Sequence, residues 1–82
     1  MKLPRDLSGV RLIKALEQIG YKPTRQAGSH VRLTCFVPKE HHLTVPLHDP
    51  LKIGTLASIL SDVATHHHLT RETLIEKLFG RN

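Results

Sequence analysis

The chain has no tryptophan, one tyrosine and two phenylalanines in 82 residues. Tyr21, Phe36 and Phe79 are too few rings for stacking on nucleobases to supply much sequence selection. Its single cysteine, Cys35, rules out an internal disulfide and fits a reducing compartment. No apolar run approaches the roughly 20 residues that a membrane-spanning helix needs. The opening MKLPRDLSG lacks the apolar core of a signal peptide. The expectation is a cytoplasmic protein without membrane contact. No linker, repeat or low-complexity segment interrupts the sequence, and its 39% apolar content suffices for one globular domain over residues 1–82. A folded chain of this size buries only about 60% of its unfolded surface, so the core is small.

Acidic residues are also scarce: 7 against 12 lysines and arginines, for a net charge of +5. The imbalance is uneven. Up to Lys39 there are 8 basic and 2 acidic residues, a balance of +6; beyond it there are 4 and 5, a balance of −1. That asymmetry is the mark of a basic face, which attracts polyanions through phosphate contacts and counterion release. Small soluble domains are also often simply basic, and charge alone does not separate the two readings.

Hydrophobic period gives the architecture. Ser8 can cap a helix with Val10, Ile13, Leu16 and Ile19 on one stripe and Leu12 beside them, stopped by Gly20. The period then changes to two. Tyr21 to Ala27 reads as a strand, Gly28 and Ser29 as its turn, and Val31, Leu33, Cys35 and Val37 as the buried side of the next strand. Pro38 to Glu40 turn into a third strand marked by Leu43, Val45 and Leu47. Pro23 and Pro46 belong at edges or bulges. Helical spacing returns at Leu56, Ile59, Leu60, Val63 and Ala64, with Gly54 and Thr55 as the expected cap. A last helix starts at Thr70, stapled by Leu69 and Leu74 and ended by Gly80. The fold class is α+β, in the order α-β-β-β-α(-α): a small three-stranded antiparallel sheet with helices on one face and the other face open.

Parity then places His30, Arg32 and Thr34 on the open face, with Thr44, Pro46 and His48 from the third strand. Pairing Val37 with His41 across a short turn predicts Thr34 opposite Thr44 and His30 opposite His48. A slip of two residues would preserve burial and separate the two histidines. A patch of histidines and arginine suits RNA cleavage. Attack by a 2′-OH on the adjacent phosphate needs a base, an acid and cations for the developing charge. By itself, a histidine on an exposed strand is as readily plain surface.

The succession of a helix, RQAGSH, the VPLH strand and LKIGTLASIL opening a helix resembles the HicA family of toxins from type II toxin–antitoxin systems. The likeness runs from about Leu7 to Phe79. It implies a fold similar to double-stranded-RNA-binding domains and an mRNA interferase that needs no ribosome. It also implies a HicB-type antitoxin covering the active surface, with self-association only inside that complex. His30, the histidine of GSH, is then the catalytic residue. His48 matches a frequent family position, as a second acid/base group or as packing. Gly28 supplies the turn; Ser29 orients His30, contacts phosphate or merely turns the chain. Gly54 and Thr55 either hold a phosphate on helix amides or only cap.

The reading is therefore a metal-independent endoribonuclease toxin that needs no cofactor. Lys22, Arg25, Ser29 and Arg32 bind single-stranded or locally unpaired mRNA, His30 with His48 does the chemistry, and the products are a cyclic phosphate and a 5′-hydroxyl. The rival is a non-catalytic RNA-binding module of the same fold gripping a duplex by shape, although KIGTLAS offers only Lys52 where such a binder wants a lysine cluster. A third reading is a subunit whose basic face docks an acidic protein. His66, His67 and His68 are adjacent and diverge on a helix, so they cannot chelate together; His41 and His42 would join them only through an accident of folding or a dimer. Cys35 lies on the buried parity as a small core residue.

Overall fold

In the computed structural model, which describes residues 3–80, the first helix, α1, covers Gly9–Glu17. The Ser8 hydroxyl accepts the Arg11 N–H at 3.1 Å, satisfying one orphan donor of the first turn. The buried stripe is Gly9, Leu12, Ile13 and Leu16, with Ala15 beside it. Because the stripe begins at Gly9, Val10 falls outside it and is exposed, contrary to its expected place in the core. Three strands follow, β1 (Lys22–Ala27), β2 (His30–Cys35) and β3 (His41–Pro46), and then α2 (Ile53–His66) and α3 (Arg71–Phe79). The sheet is antiparallel in the order β1-β2-β3. Leu33, Cys35 and Val45 from the sheet meet Leu12 and Leu16 of α1 and Leu56, Leu60 and Val63 of α2 in one buried cluster. The α+β class and the element order agree with the sequence pattern.

The register of the second hairpin does not. His30 faces Pro46, Arg32 faces Thr44, Thr34 faces His42 and Cys35 faces His41, two residues from the expected pairing. The predicted His30–His48 pair is therefore absent. Pairing stops at Cys35, so the connection is the five-residue segment Phe36–Glu40 rather than a tight turn at Pro38 to Glu40. Pro38 has no N–H to extend the ladder, and the segment has no glycine to make a two-residue turn. Val37, expected inward, is consequently exposed. A slip of two keeps every remaining side chain on its own face, so the hydrophobic pattern could not distinguish the two registers. Thr24 is the extra residue of a bulge in β1, beside Pro23 as its edge position allows. The cap of α2 is Lys52, not Gly54 or Thr55, and it makes no side-chain capping bond.

Gly9 ties α1 to the sheet. Its N–H donates to the His48 carbonyl at 2.9 Å, and a Cβ at this position would overlap the Pro46 carbonyl oxygen. Only glycine lets the two backbones come this close.

At the opposite end of the sheet, Tyr21 is fully buried and gathers histidines from two elements. Its hydroxyl lies 2.6 Å from His41 Nδ1 and 3.2 Å from His67 Nε2. His41 Nε2 is 3.4 Å from an Asp62 carboxylate oxygen, and its ring stacks on His66 with centroids 4.2 Å apart. His66 Nε2–H donates to the Lys39 carbonyl at 2.9 Å. His41, on β3, thus does join two of the three consecutive histidines. Even so, no group of three or more histidine, cysteine, aspartate or glutamate side chains among the described residues is placed to hold a metal ion. One arrangement of tautomers satisfies all three bonds to Tyr21 and Asp62: His67 Nε2–H donates to Tyr21, Tyr21 O–H to His41 Nδ1, and His41 Nε2–H to Asp62. Burial, and then the neighbouring His66, His41 and His68, lower the His67 pKa below its usual 6.5. Burial chiefly raises that of Tyr21, with the Cys35 thiol and Asp62 adding to it. The helix then ends in a Schellman arrangement. Leu69 N–H reaches Ala64 at 2.9 Å and His68 N–H reaches Thr65 at 3.2 Å, with His68 in the left-handed region at φ +57°.

Two outcomes follow from this packing. Gly9→Ala should destabilise the fold by about 1–3 kcal/mol, the usual cost of forcing an extra carbon into a filled site; an unchanged urea midpoint would show that α1 can move off β3. The lowered His67 pKa stabilises the fold above pH 6.5 and loses that contribution as pH falls below it, because the unfolded chain then binds the extra proton. Urea unfolding at about pH 7.5 and pH 5.5 should therefore show a decline in stability that His67→Gln reduces. Equal declines in both proteins would place the pH dependence elsewhere.

Candidate active face

Helices cover one side of the sheet, and the other side presents three rows of cross-strand neighbours. The first is Ala27, His30 and Pro46; the second is Arg25, Arg32 and Thr44; the third is Lys22, Thr34 and His42. The hairpin that presents His30 turns on Gly28 and Ser29, with Gly28 at φ +58°. A Cβ at Gly28 would meet nothing within 4 Å, so the requirement there is the backbone angle, not space. Ser29 is exposed, and its carbonyl accepts the Leu47 N–H at 2.7 Å.

His30 is exposed, and its two cross-strand neighbours, Ala27 and Pro46, carry no polar side chain. Its imidazole is left accessible, with Arg32 the next residue on the same side of β2. His48 lies two residues beyond Pro46. The Leu47 bond to Ser29 carries pairing one residue past β3, so His48 follows diagonally from His30 instead of facing it. The structure thus brings His30, Arg25 and Arg32 into adjacent rows, adds Lys22 one row further, and leaves His48 at the margin, exposed, with its carbonyl engaged by Gly9.

Arg25 and Arg32 face each other across β1 and β2. Like charges in that position repel. Among the described residues the carboxylates that approach a basic side chain are Asp62, beside His41, and Glu40, beside His42, and neither arginine has a carboxylate so placed. A bound anion would relieve that repulsion, and two guanidiniums one row from a histidine are placed to grip a phosphate.

The third row holds a chain that the sequence pattern did not single out. His42 Nε2 is 2.7 Å from a Glu40 carboxylate oxygen, and His42 Nδ1 is 2.9 Å from the Thr34 hydroxyl, which lies 3.0 Å from that of Thr24. A carboxylate, an imidazole and a hydroxyl in line resemble a nucleophilic triad, but Thr34 is buried and out of reach of substrate. The chain instead fixes the ring of His42 and the end of β2. Its only sequence signal is the Glu-x-His spacing of Glu40 and His42, which carries meaning only once the register is known.

These features define a class: a small basic α+β protein whose uncovered sheet face carries an accessible histidine beside unpaired arginines. The family model described as HicA toxin of bacterial toxin–antitoxin matches residues 9–64, more than half of the chain. The chain belongs to the HicA toxin family, and a toxin of this kind implies an antitoxin partner. The match takes in α1, the whole sheet and most of α2, and leaves α3 outside. No curated protein and no solved structure matches it. No helix among the described residues is long and apolar enough to cross a membrane.

Relieving the arginine pair gives a test independent of any ligand. Arg32→Gln should stabilise the free protein by about 0.2–1 kcal/mol at low salt, the scale of a cross-strand like-charge pair. The gain should shrink as salt screens the pair. Destabilisation by the substitution would mean that Arg32 is held by a favourable contact instead.

Proposed function

We infer that this toxin is an endoribonuclease that cleaves mRNA on the open sheet face, with His30 as its acid/base group. The observation that carries this reading is the opposed Arg25–Arg32 pair one row from an accessible histidine. The two guanidiniums hold the phosphate, and Lys22 and Ser29 contact the flanking backbone. His30 takes the proton from the 2′-OH as that oxygen attacks phosphorus. The P–O5′ bond breaks, the departing oxygen is protonated, and the products are a 2′,3′-cyclic phosphate and a 5′-hydroxyl. His48, diagonal to His30, is the candidate donor of the second proton. Histidine suits both roles because its ordinary pKa lies near physiological pH. Neither step calls for a metal ion. The antitoxin is of the HicB type and acts by covering this face, where the unpaired positive charge suits an acidic surface.

The test is cleavage of a labelled mRNA in EDTA, with binding followed in parallel. His30→Ala should lose about 10²–10⁴ in rate, the span of a positioned acid or base, while still binding RNA. Arg25→Gln and Arg32→Gln should weaken binding and each lower the slope of log affinity against log salt by about 1. A His30→Ala protein that cuts as fast as the wild type would remove His30 from the chemistry.

A further inference from the structure

We propose that Phe36 is a stacking platform for an unpaired base of single-stranded RNA, several nucleotides from the phosphate held at His30. This rests on the RNA-binding part of the reading above and adds the residue that receives a base of the single strand. Phe36 follows directly on Cys35, the last residue of β2, and so leaves the sheet next to the row of Lys22, Thr34 and His42. Of the three aromatic rings, Tyr21 is fully buried and Phe79 packs against the core, whereas Phe36 is 67% exposed. Between Phe36 and His30 the face carries Arg32, with Arg25 opposite it, and Lys22 opposite Thr34. Among the described residues none of these cations lies against a carboxylate.

A cationic track that ends in a free ring is what a single strand requires. The charges follow its backbone and the ring receives a base. A duplex keeps its bases stacked inside and has no use for such a ring. Five residues separate Phe36 from His30, and six extended steps span about 20 Å, so the stacked base lies well away from the cut. Stacking accepts any base, since each has a π-face. One platform therefore contributes affinity without sequence selection, in keeping with the scarcity of aromatic residues.

The chain has no tryptophan, so Phe36→Trp in a His30→Ala background provides a single reporter on a full-length, non-cleaving protein. It is titrated with a single-stranded oligoribonucleotide and with a duplex of the same sequence, while anisotropy of the labelled RNA records binding. The single strand should quench the tryptophan and the duplex should not. Phe36→Ala in the same background should weaken single-strand binding by between about 5-fold and 150-fold, and Phe36→Trp should restore it. Unquenched tryptophan at saturating RNA, with Phe36→Ala binding as tightly as its parent, overturns the proposal. If that variant also fails to capture a co-expressed antitoxin, the ring docks a protein instead. Wild-type cleavage separates this proposal from the nuclease reading. RNA bound through Phe36 but left uncut keeps the platform and removes the nuclease. RNA cut and bound equally well by Phe36→Ala does the reverse.

Discussion

The contact between Gly9 and the chain leaving β3 is the constraint on which the rest of the molecule depends. A hydrogen bond to the His48 carbonyl and the close approach to Pro46 fix where α1 crosses the sheet. That crossing turns Leu12, Ile13 and Leu16 into the core and leaves Val10 outside it. The same contact decides where β3 stops. Pro46 is held beside His30, and His48 is carried past the end of the ladder. One missing side chain on a helix thus sets the surroundings of the histidine on the other side of the sheet.

Folding and function pull in different directions on the open face. A sheet this small would gain from a neutral or mixed-charge second side, yet the strands set arginine against arginine and leave the pair without a carboxylate. The free protein tolerates this because the core, from Leu16 through Leu33 to Leu60, lies wholly on the helical side. The stability of the fold and the composition of the binding face are therefore set by different residues, and the face can hold repulsive charge and an exposed ring without disturbing the packing behind it.

Most of the architecture was legible in the sequence because period and punctuation agreed. Ser8 caps the helix it was expected to cap, the last helix opens at Thr70 as expected, and the alternation from Val31 to Cys35 marks the buried side of β2 correctly. The basic half of the chain could be read from the count of charges, and the places of His30 and Arg32 on the open face from parity. Register could not. The run from Phe36 to Glu40 contains no glycine to fix a turn, and a shift of two residues leaves the hydrophobic pattern unchanged. Everything that depends on the pairing was lost with it: the separation of His30 from His48, the exposure of Val37 and the chain from Glu40 to Thr34. The histidines around Tyr21 escaped for another reason. Consecutive residues on α2 gave no hint that His41, more than twenty positions earlier, would lie against them.

The bonds around Tyr21 also have a direction. A phenol has one proton to donate, so when it donates to His41 it must receive from His67, and His41 must then carry its own proton on the side of Asp62. The choice of tautomer at one ring dictates the next. Moving the His41 proton to Nδ1 would reverse the phenol, require His67 to accept in its turn and leave Asp62 without its donor. The orientations of His41, Tyr21 and His67 are therefore set together, and none of the three can turn its proton round alone.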